Sequence, residues 1–196
     1  MTSMSSSTTV SPYNVPNLLT SIRFILAVGV IAFIAMSWFG TALVTFVIAA
    51  STDWMDGYYA RRYGQVTKLG RIFDPFVDKI IVCGAFTSLV EISGSGVAAW
   101  MAIIVIGREL LVTSLRGMVE GAGGDFSASQ LGKWKMVLQC VAIGFTLLCL
   151  ALQTPEPWLV WVTMGTLWGA ILLTVYSGID YVIIASRVMT SETPAK

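Results

Sequence analysis

Six apolar stretches, each near the length that crosses a lipid bilayer, follow one another along this chain, at about 18–38, 41–61, 72–92, 97–118, 132–153 and 158–186. A membrane-spanning helix needs about 20 mainly apolar residues. In hydrocarbon every backbone polar group must be satisfied internally, which a helix achieves and an open strand does not. The pattern predicts an all-α polytopic membrane protein, six transmembrane helices in a bundle. The last stretch is long enough to tilt or to continue out of the bilayer.

Composition removes the alternatives. The 196 residues are 56% apolar and 12% charged, whereas soluble domains average about 25% charged residues. A soluble chain of this length has too little interior to hide that much apolar surface. A disordered chain needs the opposite balance. The net charge of +1 gives no bulk attraction to nucleic acid. With no histidine in the chain, a Ser–His or Cys–His pair and a His-based zinc site are excluded. Cys83, Cys140 and Cys149 all sit in apolar runs and read as buried thiols.

Lys and Arg set the orientation. Arg61, Arg62, Lys68 and Arg71 lie between the second and third stretches, Arg116, Lys133 and Lys135 near the connection of the fourth and fifth, and Arg187 and Lys196 near the C-terminus. The opposite connections, around Gly40, Glu91–Gly96 and Thr154–Pro157, carry none. Both termini and the basic connections are therefore expected on the cytoplasmic side of a cytoplasmic membrane. Residues 14–190 form one membrane domain, with a poorly ordered Ser/Thr-rich segment at 1–13 and a short tail at 191–196. The tryptophans at 38, 100, 158 and 161 read as interfacial anchors.

Charge inside these stretches is the informative exception. Asp53 and Asp56 end the second, and Asp74 and Asp78 begin the third. The i,i+3 and i,i+4 spacings put each pair on one helical face, and the short connection makes the two helices antiparallel neighbours whose carboxylates can face each other. A carboxylate at the centre of a span costs about 2.5–3.5 kcal/mol on insertion scales, and less near the interface. Four together require cations. Lys79 and nearby arginines compensate part, and hard oxygen donors favour Mg²⁺ or Mn²⁺, with room for two ions bridged by the carboxylates. From the carboxylates alone, a structural ion-pair network and a proton- or cation-coupled transporter remain open.

Between and around these pairs the chain reads D-W-M-D-G-Y-Y-A-R, eight residues, then G-R-I-F-D-P-F-V-D. Asp53, Asp56, Gly57, Ala60, Arg61, Gly70, Asp74 and Asp78 thereby match D-x2-D-G-x2-A-R-x8-G-x3-D-x3-D, and the chain resembles the CDP-alcohol phosphatidyltransferase family. Gly57 lets a nucleotide approach the helix backbone, Ala60 keeps that face shallow, Arg61 offers forked donors to a phosphate, and Pro75 falls in a first helical turn. The resemblance implies a usually dimeric six-helix bundle with a polar cavity open to the cytoplasm. It also implies that Asp53, Asp56, Asp74 and Asp78 hold two divalent ions that clamp the CDP diphosphate, with Asp78 doubling as general base.

Further segments narrow the resemblance to the bacterial branch that uses glycerol 3-phosphate as acceptor. Asn14–Arg23, reading N-V-P-N-L-L-T-S-I-R, resembles that branch's opening and implies that Asn17 and Thr20, with Thr67, lie near the nucleotide. Their other reading is helix capping, and Arg23 reads as snorkelling to the interface. Gly107-Arg108-Glu109-Leu110 and Leu115-Arg116-Gly117 resemble its R-E-(x6)-R segment, and Gly132-Lys133-Trp134-Lys135-Met136 with Gln139 its G-K-x-K-T-x-x-Q, with Met136 in place of Thr. Tyr176–Tyr181 is similar to the family's last span. Arg108, Arg116, Lys133 and Lys135 then become candidates for holding the acceptor phosphate, Arg108 or Arg116 facing the cavity. For the two lysines a solvated edge against anionic headgroups is the competing reading, and for Lys135 the favoured one. Glu109, adjacent to Arg108, points about 100° away and is not its automatic partner. The implied reaction moves a phosphatidyl group from CDP-diacylglycerol to glycerol 3-phosphate, giving phosphatidylglycerophosphate and CMP. Transfer to phosphatidylglycerol, inositol phosphate or serine stays open, as does, outside enzymes, a cation-coupled transporter.

Overall fold

The computed structural model describes residues 15–63, 68–121 and 130–191. Within them, the side chains of 15–17, 19, 53–63, 68–74, 120, 130, 131 and 187–191 are not described. All the regular structure among the described residues is helical: α1 Val15–Ala35, α2 Phe39–Tyr63, α3 Lys68–Val90, α4 Ala99–Gly121, α5 Gln130–Ala151 and α6 Pro157–Ser191. Each coincides with one apolar stretch. At 1.5 Å per residue α6 runs about 52 Å, longer than the hydrocarbon core of about 30 Å. By length and composition two helical segments among the described residues, Gly132–Ala151 and Pro157–Ser186, are apolar enough to cross a membrane.

Helix α3 begins earlier than its hydropathy suggests. The basic turn around Lys68 and Arg71 is already helical, so Pro75 lies in the interior of α3 and not in its first turn. There it removes the i→i−4 bond to residue 71.

The helices close into a ring in the order α1, α3, α4, α6, α5, α2, with α3 also touching α5 across the middle. The end of α2 and the start of α3, where the expected neighbouring pair would meet, carry side chains outside those described. Both α2 and α3 pack on α1. The cause is visible in side-chain size. Gly84 of α3 lets Ile31 of α1 lie where a Cβ would meet Ile31 Cγ1 at 2.9 Å, and Gly29 of α1 sits close to Thr45 of α2. The core follows helical spacing on every element: Ala27, Val30 and Ile34; Ala42, Phe46 and Ala49; Ala85, Phe86 and Leu89; Ala142, Ile143 and Leu147. Its many alanines allow close helix approach, as interfaces between helices in lipid require. Outward faces are also apolar, with Ile25, Ile103, Leu110, Leu172 and Trp161 well exposed.

The turn between α3 and α4 is held tightly. Ser95 accepts from the Val97 N–H at 3.2 Å and donates to the Leu89 carbonyl at 2.7 Å. Gly96, at φ 72°, passes so near α6 that a Cβ would lie 3.0 Å from Met164 Sδ. Glycine alone suits both that backbone and that approach.

Candidate functional site

Where α3, α4 and α5 meet there is a half-open pocket of about 160 Å³ lined by Pro75, Asp78, Lys79, Val82, Glu109, Lys135, Met136 and Gln139. Four of these eight carry charge, in a chain that is 12% charged. Met136 occupies the wall where the resemblance expects Thr, making that part of the surface apolar.

Asp78 is fixed from the α1 side. Arg23 Nη1 donates to Asp78 Oδ1 at 3.0 Å, and the Arg23 side chain is only 2% exposed. Arg23 is therefore not a snorkelling residue. Because α1 packs on α3, its guanidinium meets a carboxylate inside the bundle, and the pair gives two charges that would be costly alone a common partner. Thr20, one turn earlier on α1, is buried on the same side. On the α4 side, Lys79 Nζ donates to Thr113 Oγ1, and Thr113 donates onward to the Glu109 carbonyl at 2.6 Å.

The second cluster is built on Arg108, which is 9% exposed. Its Nη1 donates to Glu109 Oε1 at 3.2 Å, and Lys135 Nζ donates to the same oxygen. Two expectations are corrected here. Glu109 does partner Arg108, because the long guanidinium side chain reaches round the helix to meet it. Lys135 is no solvated edge residue; it is 3% exposed and ion-paired. Lys133 is exposed. Arg108 Nε donates to Ser177 Oγ at 3.1 Å, and the guanidinium carbon lies 5.2 Å from the Tyr181 ring centre. Glu109 and Lys135 line this pocket, and Arg108 reaches toward α6; the cavity beside the four aspartates, which Arg108 or Arg116 is expected to face, involves side chains outside those described. Adjacent helical residues diverge by about 100°, so Glu109 turns to α5 as Arg108 turns to α6. Arg108 Nη2 and Arg116 Nε are buried with no hydrogen-bond partner among the described residues.

Asp53 and Asp56 lie in α2 and Asp74 in α3, one turn before Asp78, as do Gly57, Ala60, Arg61 and Gly70 in the same two helices. Their side chains, with that of Asn17, are outside those described, and Thr67 lies outside the described residues. Among the described residues no three acidic or sulfur ligands gather. The donor chemistry still suits a hard divalent cation, since the motif supplies only carboxylate oxygens and the chain has no histidine.

Asp78 and Arg108 stand out in the sequence as charges inside the bundle, whereas Arg23 reads there only as an interfacial residue and Ser177 and Tyr181 carry no individual signal. Ser177 and Tyr181 stand at i,i+4 on a helix opposite a deep arginine, the only available hint.

A family profile described as CDP-alcohol phosphatidyltransferase matches residues 13–176. Several bacterial proteins named CDP-diacylglycerol–glycerol-3-phosphate 3-phosphatidyltransferase are similar. That of Bacillus subtilis is 39% identical over 140 residues, 70% of this chain and 69% of the relative. That of Haemophilus influenzae is 36% identical over 179 residues, 88% and 94%. That of Escherichia coli K12 is 32% identical over 175 residues, 86% and 93%.

Proposed function

The chain belongs to the CDP-alcohol phosphatidyltransferase family, and on that premise we propose that it transfers a phosphatidyl group from CDP-diacylglycerol to glycerol 3-phosphate, giving phosphatidylglycerophosphate and CMP. The observation that carries the acceptor is the alignment, across 86–88% of the chain, with relatives named for that reaction.

Asp53, Asp56, Asp74 and Asp78 would hold two divalent ions, Mg²⁺ or Mn²⁺. When bound, such ions neutralise diphosphate charge and favour displacement at phosphorus. The rest falls to the chain. Asn17, Thr20, Asp56, Gly57, Ala60, Arg61, Thr67 and Gly70 bind the CDP-lipid. Asp78 takes the proton from the acceptor hydroxyl, whose oxygen attacks the lipid-side phosphorus. The bond from that phosphorus to the CMP oxygen breaks, and CMP leaves. Arg23, donating to Asp78 Oδ1 at 3.0 Å, keeps the carboxylate aimed, so orientation supplies much of what a weak base lacks.

Arg108, Arg116, Lys133 and Lys135 hold the acceptor phosphate. The support is the pair of buried N–H groups on Arg108 and Arg116 that no described residue satisfies. A buried donor without an acceptor costs about 1–3 kcal/mol, and a phosphate dianion supplies acceptors and charge together. The six helices span a bacterial-type cytoplasmic membrane as a homodimer, with both termini and the site on the cytoplasmic side. Outward apolar faces and exposed Trp38, Trp158 and Trp161, at the ends without Lys or Arg, support that placement.

Purified protein given CDP-diacylglycerol and, separately, glycerol 3-phosphate, phosphatidylglycerol, inositol phosphate and serine tests the reading. It predicts CMP and phosphatidylglycerophosphate in equal amounts with glycerol 3-phosphate. Turnover with another acceptor alone would replace the acceptor, and ion flux in liposomes without CMP release would replace the enzyme.

A further inference from the structure

The buried guanidinium of Arg108 is held on three sides by groups that the proposed reaction leaves unused. In the plane, its Nε donates to Ser177 Oγ at 3.1 Å and its Nη1 to Glu109 Oε1 at 3.2 Å. The Ser177 hydroxyl is itself oriented, donating to the Thr174 carbonyl at 3.0 Å, so a lone pair is left for Nε. Against the face, the Tyr181 ring lies 5.2 Å from the guanidinium carbon, within cation–π range. Two in-plane bonds and one facial contact fix the position and tilt of a rigid planar group.

Two glycines make room for this seat. A Cβ at Gly178 would lie 3.3 Å from Arg108 Cγ, and one at Gly132 would lie 3.2 Å from the Tyr181 hydroxyl and 3.8 Å from Arg108 Nη2. Tyr181 is anchored below by Val112, Val119 and Ala185, a small core between α4 and α6. Arg108 Nη2, the one guanidinium nitrogen with no partner among the described residues, lies beside the first turn of α5. A cation beside a helix N-terminus is unfavourable unless an anion lies between them, so the seat presents Nη2 where an anion is wanted.

We propose that Ser177 and Tyr181 of α6 are positioning residues that hold Arg108 with Nη2 directed at the acceptor's phosphate, so that acceptor affinity is set through α6. This rests on the proposed transfer to a phosphorylated alcohol. Neither residue touches substrate; both act through Arg108.

The test is steady-state CMP release by the full chain in detergent–lipid micelles, with each substrate varied in turn. Tyr181→Leu removes the ring and is expected to raise KM for glycerol 3-phosphate about tenfold, leaving KM for CDP-diacylglycerol and kcat within about threefold. Tyr181→Phe keeps the ring and stays near wild type. Ser177→Ala raises the acceptor KM about threefold to tenfold. Equal losses for both substrates, a Tyr181→Phe variant as impaired as Tyr181→Leu, or an unchanged acceptor KM in Ser177→Ala overturns the proposal. If Tyr181→Leu does not fold, Ser177→Ala decides alone. Wild-type protein that ignores glycerol 3-phosphate but uses another phosphorylated alcohol would overturn the acceptor reading only. The same variants then test the seat on that alcohol's KM.

Discussion

At position 78 a carboxylate and, 55 residues earlier, an arginine meet at 3.0 Å between two helices. Neither charge is tolerable there alone, and removing one member of a buried pair costs about 3–5 kcal/mol. Asp78 is partly exposed to the cavity, so Arg23→Met is expected to destabilise the protein by the lower figure, about 3 kcal/mol. A thermal-shift measurement in detergent checks this; a melting temperature unchanged from wild type would refute the buried-pair account. Asp78→Asn keeps an oxygen for Arg23 to donate to, so it should fold better than Arg23→Met yet lose CMP release by at least about 10²-fold, the scale of general-base catalysis. These two residues differ in how legible they were. Asp78 stands in a spaced motif, whereas nothing near Arg23 indicates a partner so distant in sequence. Arginine at a span's end ordinarily reaches for water.

Among elements, α5 separates its two lysines by environment. Lys133 is exposed and Lys135 buried against Glu109. Lys135→Ala is expected to raise the KM for glycerol 3-phosphate more than tenfold, and Lys133→Ala no more than about threefold, as for a solvated charge. Equal effects would contradict the burial difference. The α1–α3 contact gives a second test. Gly84→Ala pushes a methyl group into Ile31 and should cost about 1–3 kcal/mol, most of it recovered in the double variant with Ile31→Ala. Thermal unfolding of the two variants reads this directly. Helix number and extent were readable because hydropathy in long runs fixes them. Neighbour relations were not. Glycines at 29 and 84 mark close approach without naming the partner, so the packing of both α2 and α3 on α1 could not be foreseen. Pro75 misled for a related reason: a polar, basic first turn hides the true start of α3.

For the whole molecule, the helices bring Asp78, Lys79, Glu109 and Lys135 around one half-open pocket and leave large apolar side chains on the outside. That inversion is what lipid as solvent demands. On the proposed reading, the carboxylates of the α2 and α3 motif would be held by divalent ions and the diphosphate those ions bind. Loss of metal should therefore abolish turnover without unfolding the apolar bundle. The most direct test follows CMP release from labelled CDP-diacylglycerol in proteoliposomes supplied with glycerol 3-phosphate, before and after chelation. The account predicts that release stops on chelation, returns with Mg²⁺ or Mn²⁺, and yields one phosphatidylglycerophosphate for each CMP. CMP release that continues undiminished in excess chelator would contradict it.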